Sequence, residues 1–345
     1  MATVHTFSID IGWDLLAALS TLDRFDAEWT AIEKREGRSL KQLRSVATVK
    51  STGASTRIEG SKMSDQEVDA LLRDLHIERL TDRDAQEVAG YFEVLDLIIE
   101  SFADISLTEQ TIKSLHKRLL AHAPRDAWHA GDYKQVSNSV EATRPDGTKE
   151  IIFRTALPGM ETEQAMRSLL DWYHTDEQTH PLIKCAAFCY DFVSIHPFQD
   201  GNGRLSRLLS TLLMLQHGYH WIQYISFEHE IEARKSEYYR VLRACQALRP
   251  GEPIDAWVGF YLDALTTLRT KLNAKLETDG VDQGLSPRER SILVFIEDHP
   301  GSRSGEIAER LGIPSPTVKR ILTDLMFKGL IERFGAGPGT NYSVA

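Results

Sequence analysis

The segment His196-Pro-Phe-Gln-Asp200-Gly-Asn202-Gly-Arg204-Leu-Ser-Arg207 decides how the rest of this 345-residue chain is interpreted. An apolar run that ends at Ile195 predicts a helix stopping just before the segment. The two glycines remove side chains, so that backbone N–H groups can approach a ligand. The residues after them are predicted to start a second helix, and the N-terminus of a helix attracts anions. The segment therefore predicts an anion-binding loop between two helices.

The charged side chains of this segment suit a polyphosphate. Arg204 and Arg207 are three positions apart, so both project from one face of the second helix, and guanidinium groups bind phosphates bidentately. Asp200 can hold Mg²⁺ through one carboxylate oxygen, the usual mode when phosphates supply further ligands. His196 can accept a proton from an attacking hydroxyl. A tight interhelical loop with two surface arginines is the alternative, and the density of positions that serve one reaction favours the binding site.

The pattern around this segment is helical. Two sequence patterns are typical of helix starts, the capping boxes Ser64–Glu67 and Ser106–Glu109. The period changes at 131–157, where short extended segments flank Arg144-Pro-Asp-Gly147 and predict a β-hairpin. Apolar residues at helical spacing predict helices over 12–35, 39–59, 84–101, 161–175, 181–194 and 202–217. The predicted fold is all-α with one hairpin.

The C-terminal part forms a separate unit. Residues 277–284 are polar and without periodicity, which predicts a linker over 276–285. Residues 286–345 read as three helices and a hairpin, an order that resembles a winged helix-turn-helix domain. A helix beginning near Ser315 would present Thr317, Lys319 and Arg320 to a DNA groove. Eight Lys/Arg against seven Asp/Glu leave this unit a net charge of only +1, so a protein-docking or dimer-forming role stays an equal alternative to DNA binding.

The central segment matches the Fic motif at every specified position, and residues from about 106 to 250 resemble a Fic core. Fic proteins mostly move AMP from ATP to a Ser, Thr or Tyr hydroxyl of a protein. The hairpin at 135–157 looks like the Fic flap, which pins the target segment by strand addition. The resemblance implies His196 as the base, Asp200 as the Mg²⁺ ligand, Asn202 on the α-phosphate with backbone donors from Gly201 and Gly203, Arg204 and Arg207 on the β- and γ-phosphates, and Tyr238 and Tyr239 near the adenine.

An earlier segment, Ser55-Thr-Arg-Ile-Glu59-Gly60, resembles the inhibitory signature of the same family. The resemblance implies that Glu59 pairs with Arg207, and a guanidinium that forks onto a carboxylate cannot also hold the γ-phosphate. ATP would then bind with its α-phosphate turned wrongly for in-line attack. An ordinary helix C-terminus with a solvated glutamate is the alternative. The same glutamate can also orient water to remove AMP, and the sequence does not separate the two roles.

The composition and charge of the chain argue against several classes of protein. Forty Lys and Arg against fifty Asp and Glu give a net charge of −10, which argues against a general polyanion binder. The apolar runs are too short to span a membrane, and the first ten residues lack a secretion pattern. Three cysteines suit reduced thiols in a cytoplasmic protein. The predicted regions are an N-terminal helical region (1–105) with an inhibitory helix (39–60), a Fic catalytic domain (106–275), a linker (276–285) and a winged helix (286–345).

The expected activity is Mg²⁺-dependent protein adenylylation with ATP as substrate, repressed by Glu59. The target protein is unknown, and self-modification is one option because a hydroxyl near the flap is at high local concentration. The resemblance also implies a homodimer. Two alternatives stay open: a Fic enzyme that removes AMP or transfers another nucleotide, and a DNA-binding regulator with a vestigial Fic domain.

Overall fold

The computed structural model describes residues 8–35, 37–73, 80, 82–138, 140–143, 149–282, 285–335, 337 and 340–344. Helices dominate the part that precedes the winged helix. They are α1 (Trp13–Arg35), α2 (Gly37–Ile58), α3 (Asp65–Arg73), α4 (Arg83–Ser101), α5 (Glu109–Leu119), α6 (Met160–Thr175), α7 (Pro181–Ile195), α8 (Asn202–Gln216), α9 (Phe227–Ala233), α10 (Lys235–Gln246) and α11 (Asp255–Asp282). Short 3₁₀ helices occupy Pro124–Asp126 and His220–Tyr224.

The centre of this part is the pair α7 and α8. Every side chain from Cys185 to Ile195 is buried, as expected for a helix that is apolar on all sides. Helix α8 buries all of its leucines, and α4, α5 and α7 pack against it. All three cysteines are buried free thiols. The motif loop therefore joins the two most deeply buried helices.

The observed helix ends confirm two of the predicted helix ends and contradict a third. Ser64 and Glu67 form the predicted capping box, and α2 ends just before Gly60, whose φ is +115°. The box predicted at Ser106 is wrong, since α5 begins at Glu109 with Thr108 as its N-cap. The Thr108 side chain accepts the Thr111 N–H, which satisfies a first-turn donor two residues later than expected.

The predicted hairpin is confirmed. Strand β1 (Val140–Thr143) pairs antiparallel with β2 (Lys149–Phe153). The predicted turn at 144–147 lies outside the described residues. Just before the hairpin, Tyr133 forms an antiparallel bridge with Phe198 of the motif loop. The base of the flap is thereby joined to the centre of the motif.

The chain divides into two compact units, residues 1–26 with 45–269 and residues 27–44 with 270–345. The second contains α12 (Pro287–Asp298), α13 (Ser304–Leu311), α14 (Ser315–Phe327) and the antiparallel pair β3 (Ile331–Phe334) and β4 (Asn341–Val344). Its core is built from its own helices and strands, among them Ile292, Ile307, Val318 and Leu322. This is the predicted winged-helix order, although residues 336, 338 and 339, between β3 and β4, lie outside the described residues.

One prediction about this region is wrong. Residues 276–282 belong to α11, although we predicted that the linker begins at residue 276. A helix that is already formed gains one hydrogen bond for each residue added, so polar residues extend it without an apolar stripe of their own. Residues 283 and 284 lie outside the described part. In the described residues, no helix combines the length and apolar character needed to cross a bilayer.

Candidate active site

His196 caps the C-terminus of α7. Its φ of +55° is left-handed, an unusual conformation for a residue with a side chain, and its N–H still donates to the Phe192 carbonyl at 3.0 Å. Its Nδ1 lies 3.2 Å from the Val193 carbonyl oxygen. Because a carbonyl only accepts, Nδ1 carries the proton and Nε2 is left as the acceptor nitrogen.

The environment keeps this imidazole neutral. Burial lowers the pKa of His196 below the usual histidine value, and the charge of Lys134 lowers the pKa further. The Val193 carbonyl, Glu59 and Asp200 act in the opposite direction. Since the net pKa falls, the ring at neutral pH is in the form that can take up a proton.

Asn202 closes the loop. Its Oδ1 accepts the Phe198 N–H at 2.9 Å and its Nδ2 donates to the Phe198 carbonyl at 2.8 Å. The side chain is only 2% exposed, so both ends of the amide are engaged inside the loop. The geometry gives Asn202 a loop-shaping role, and its contact with an α-phosphate stays a prediction.

The glycines of the motif are needed for two different reasons. Gly201 is the N-cap of α8 with φ of +76°, a left-handed conformation that favours glycine. Gly203 needs space, because a Cβ there would overlap the Glu59 carboxylate at Oε1. The first turn of α8, where free N–H groups attract anions, thus holds a carboxylate from this same chain.

Arg207 is the centre of the inhibitory contact predicted from the sequence. Its Nη2 donates to Glu59 Oε1 at 2.8 Å and to the Ser55 carbonyl at 2.9 Å, and its Nε donates to Ser55 Oγ at 2.8 Å. The side chain of Arg207 is 3% exposed and that of Glu59 is 31% exposed. Glu59 lies in the turn that follows α2, directly before Gly60. The structure therefore brings together Ser55, Glu59 and Arg207.

The other arginine belongs to a group of four charged side chains. Arg204 Nη2 donates to Asp200 Oδ2 at 3.0 Å, and its Nη1 lies 3.1 Å from Glu87 Oε2. Arg83 at the start of α4 donates from Nε to Glu87 Oε1 at 2.9 Å and reaches within 3.5 Å of Asp200. Burial raises the pKa of Asp200, but Arg204, the Gly201 N–H and Arg83 bring the net pKa below the usual aspartate value. Asp200 is therefore ionised at neutral pH.

This arrangement fits a metal ion only in a limited way. Asp200 offers one ionised carboxylate that is 43% exposed. In the part of the chain that the structure describes, no three His, Cys, Asp or Glu side chains gather as a metal site. Mg²⁺ that arrives with phosphates needs only one or two protein carboxylates. The residues thus fit a metal carried by a nucleotide, with Asp200 as its protein ligand.

The two tyrosines that we assigned to the adenine side take different positions. Tyr238 is 4% exposed and packs edge-on against Tyr239, with ring centroids 5.1 Å apart, and against Trp257 at 5.3 Å. Tyr239 is half-buried. Burial raises the pKa of both phenols, while the charge of Arg207 lowers it. Tyr238 is a core residue beside Arg207, and adenine contact stays a prediction for both.

Sequence reasoning missed several polar residues around the loop. Arg83 and Glu87 lie on α4, and Lys134 and Asn138 precede strand β1 of the flap. None belongs to a short motif, so their only signal is spatial. His116 is fully buried and stacks on Phe198, with ring centroids 3.8 Å apart. It accepts the Gly131 N–H at Nδ1 and donates from Nε2 to the Asp200 carbonyl at 3.0 Å.

Comparison with known families agrees with this geometry. Residues 106–214 match the model of the Fic/DOC family, and residues 283–339 match the model of the MarR family. The protein adenylyltransferase Fic of Drosophila virilis is 25% identical over 221 residues, which cover 61% of this chain and 42% of that protein. The protein of the same name from Drosophila melanogaster is 24% identical over 302 residues, which cover 82% of this chain and 57% of that protein.

Solved structures show the same fold. A Fic family protein from Desulfovibrio desulfuricans superposes with a TM-score of 0.65 at 24% identity, covering 97% of both chains. A Fic domain containing signaling protein from Bacteroides thetaiotaomicron gives a TM-score of 0.58 at 25% identity, covering 77% of this chain and 98% of that one. The chain spans 42% and 57% of the length of the two fly proteins. Residues 106–214 are therefore a Fic domain, joined in one chain to a MarR-like winged-helix domain.

Proposed function

We propose that this protein transfers AMP from ATP to a side-chain hydroxyl of a protein. The observation that carries the proposal is the placement of His196 Nε2, an unprotonated acceptor, at the start of a loop that ends in the anion-attracting first turn of α8. A base and a phosphate site on one short loop are what phosphoryl-group transfer to a hydroxyl needs. The named fly relatives support the choice of AMP.

The proposed reaction is an in-line displacement. The target hydroxyl gives its proton to Nε2 of His196 as its oxygen bonds to the α-phosphorus. The bond between the α-phosphorus and the bridging oxygen to the β-phosphate breaks, and diphosphate leaves. Arg204 and Arg207 stabilise the negative charge on the β- and γ-phosphates, with the N–H groups of the glycine loop on the α-phosphate. Mg²⁺ held through Asp200 would neutralise phosphate charge when bound.

We propose further that Glu59 represses this reaction. Its carboxylate accepts a hydrogen bond from the Arg207 guanidinium and lies against Gly203. It therefore occupies both the cation and the helix N-terminus that the phosphates would use. Two anions cannot share that position without strong repulsion. ATP would then have to bind with its phosphates displaced from the in-line geometry.

Label transfer from α-³²P ATP in the presence of Mg²⁺ tests both proposals. We compare wild type, Glu59→Gly and Glu59→Gly/His196→Ala, and score self-labelling and labelling of a protein mixture. We expect strong labelling only in Glu59→Gly. Loss of the general base in the double variant should lower the rate by about 100-fold or more.

The other outcomes discriminate among the proposals. Equal and strong labelling of wild type and Glu59→Gly contradicts repression by Glu59 but keeps the transferase. No labelling in any variant, with ATP binding measured separately, contradicts AMP transfer under these conditions. Release of AMP from a modified protein, or transfer from another nucleotide, would then be assayed. The target, a homodimer and a cytoplasmic location stay predictions.

A second proposal concerns the winged helix. The match to the MarR family favours DNA as a further partner, and Lys319 and Arg320 are exposed on α14. The near-neutral charge of this unit argues for weak electrostatic attraction, so any binding should depend on base contacts. A mobility shift that survives about 0.15 M salt supports DNA binding, and one lost below that salt contradicts it.

A further inference from the structure

A buried lysine lies at the junction between the flap and the motif loop. Lys134 is 2% exposed, yet its ammonium donates to three neutral oxygens. They are Asn138 Oδ1 at 2.9 Å, Thr155 Oγ1 at 3.0 Å and the Ile195 carbonyl at 3.1 Å. All three N–H donors of the ammonium are used. Burying an ammonium is costly, so such a group is retained where its hydrogen bonds hold something in place.

The first two acceptors belong to the two feet of the flap. Asn138 stands two residues before β1 begins, and Thr155 stands two residues after β2 ends. Thr155 Oγ1 also donates to Asn138 Oδ1 at 3.0 Å, so the feet are linked to each other as well as to the lysine. Both ends of the hairpin are therefore hydrogen-bonded to this one ammonium.

The third acceptor belongs to the helix that carries the base. Ile195 is the last residue of α7, where carbonyl groups lack helical partners and the helix dipole favours a cation. The next residue is His196 in its left-handed conformation. Asn138 adds a donor to the Phe198 carbonyl at 2.6 Å and to the His196 carbonyl at 3.4 Å. The backbone supports this junction too, since the Lys134 N–H donates to the Pro197 carbonyl at 2.8 Å.

We propose that Lys134 is a positioning residue that aligns the flap with His196, so that a hydroxyl on a segment paired to the flap reaches Nε2. The inference rests on the proposed AMP transfer and extends it to a residue outside the motif. Among the described residues, the hydrogen bonds of Lys134 go to the flap and the end of α7 and not to the residues assigned to the phosphates. Its loss should therefore affect the chemical step and leave nucleotide binding largely intact.

Charge gives the lysine a second, separable effect on the same base. The charged groups that act on His196 are Lys134, which lowers its pKa, and Glu59 and Asp200, which raise it. Burial lowers the pKa of Lys134 itself to about 8, against the opposing influence of Glu161, so the ammonium is charged at neutral pH. Removing the cation should therefore raise the pKa of His196 and move the acid limb of the rate to higher pH.

The test uses the full chain with Glu59→Gly as the active background. Lys134→Met, Lys134→Arg and a matched control, Lys117→Met on the exposed face of α5, are compared in single-turnover label transfer from pH 5.5 to 8.5. Dissociation constants for ATP and melting temperatures are measured alongside. We expect Lys134→Met to lower the saturating rate by about 10- to 100-fold, with the ATP dissociation constant within about twofold, because misplacement by about 1 Å has effects of that size.

We expect the acid limb to move to higher pH in Lys134→Met, and Lys134→Arg to restore both its position and part of the rate. Lys117→Met should match the background. An unchanged rate and pH profile in Lys134→Met would overturn the inference. So would a loss of rate accompanied by an equal loss of ATP binding and thermal stability with no shift of the pH profile, since that describes a folding role.

A readout without catalysis separates this inference from the proposed function. If Glu59→Gly transfers no label, AMP transfer fails, and the His196 imidazole is instead titrated by NMR in the wild-type chain, with His196→Ala to assign its signal. A higher pKa in Lys134→Met that returns in Lys134→Arg supports the coupling of Lys134 to His196. An identical pKa in all three overturns it.

Discussion

At the scale of single residues, hydrogen bonds and ring stacking from neighbouring side chains hold the shape of the motif loop. The Asn202 amide hydrogen-bonds to the backbone of Phe198. The His116 imidazole hydrogen-bonds to the Gly131 N–H and the Asp200 carbonyl. Phe198 is fully buried and stacks on His116. Short motifs therefore contain two kinds of positions, those that face the substrate and those that shape the loop, and residue type alone does not distinguish them.

His116 gives a testable pH dependence of stability. Burial lowers its pKa to about 4. The hydrogen bond to the Asp200 carbonyl raises the pKa, and the charges of His129 and Arg204 lower it further. Between pH 6.5 and 4 the unfolded chain binds a proton at this position and the folded chain does not, so stability falls as the pH falls. On going from pH 7 to pH 5, His116 should lower the free energy of unfolding by about 2 kcal/mol.

Urea unfolding at pH 7 and pH 5, followed by tryptophan fluorescence, measures this cost. Five of the six tryptophans lie in the unit that contains the Fic domain, and Trp29 belongs to the other unit, so the signal reports mainly on the first. The wild-type chain should lose more free energy of unfolding between the two pH values than His116→Gln does. His229→Gln changes an exposed histidine of the same unit as His116 and should behave like wild type. A loss that is the same in His116→Gln and wild type contradicts the assignment.

At the scale of elements, the end of α2 is fastened by side chains from three other helices. Arg57 forms two hydrogen bonds with Glu232 on α9, at 2.7 and 2.9 Å, and an ion pair with Asp65 on α3 at 2.9 Å. Lys235 on α10 donates to the Ile58 carbonyl at 2.6 Å. The residues of α2 that make these contacts, Arg57 and Ile58, directly precede Glu59. They fix the turn that places its carboxylate on Arg207.

Arg57→Ala should therefore release part of the repression. We expect self-labelling about 3- to 10-fold above wild type and below Glu59→Gly, because hydrogen bonds to charged groups are worth about 1.5–3 kcal/mol and only part of that bears on the turn. The control is Arg73→Ala, which removes an exposed arginine of α3 that pairs with Asp69. Labelling of Arg57→Ala no higher than that of Arg73→Ala would show that α9 and α3 do not set the position of Glu59.

At the scale of the whole molecule, the chain combines a Fic domain with a MarR-like domain, each with its own apolar interior. The winged helix packs Ile296, Ile321 and Leu325 from its own helices into one core. The exposed cations of α14 take no part in that core. Substitutions there should act on DNA binding without changing the catalytic domain.

The double variant Lys319→Glu/Arg320→Glu makes this measurable. DNA affinity in the mobility shift should fall at least about tenfold, because two phosphate or base contacts are replaced by repulsion. Label transfer in the Glu59→Gly background should not change. Lys117→Glu, the same charge reversal on α5, should leave the shift intact. A shift of equal strength in all variants would place any DNA contact elsewhere.

The sequence by itself determined the features that depend on near neighbours along the chain. Helix period, the capping box at Ser64, the glycine after α2 and the loop-helix form of the motif all rest on hydrogen bonds within a few residues, so they could be predicted. The winged-helix order followed from the same signals. The predicted linker was wrong at 276–282, because helix propagation there overrides the local polar pattern.

Only the tertiary structure decided the contacts between distant parts of the chain. Glu59 and Arg207 are 148 positions apart, and Lys134 reaches Ile195 across 61. A family resemblance pointed to the first pair, whereas no motif pointed to Lys134 or to the set formed by Arg83, Glu87, Asp200 and Arg204. The physical reason is that such contacts arise when helices pack and bury polar groups that must then find partners, and that partnership has no spacing in the sequence.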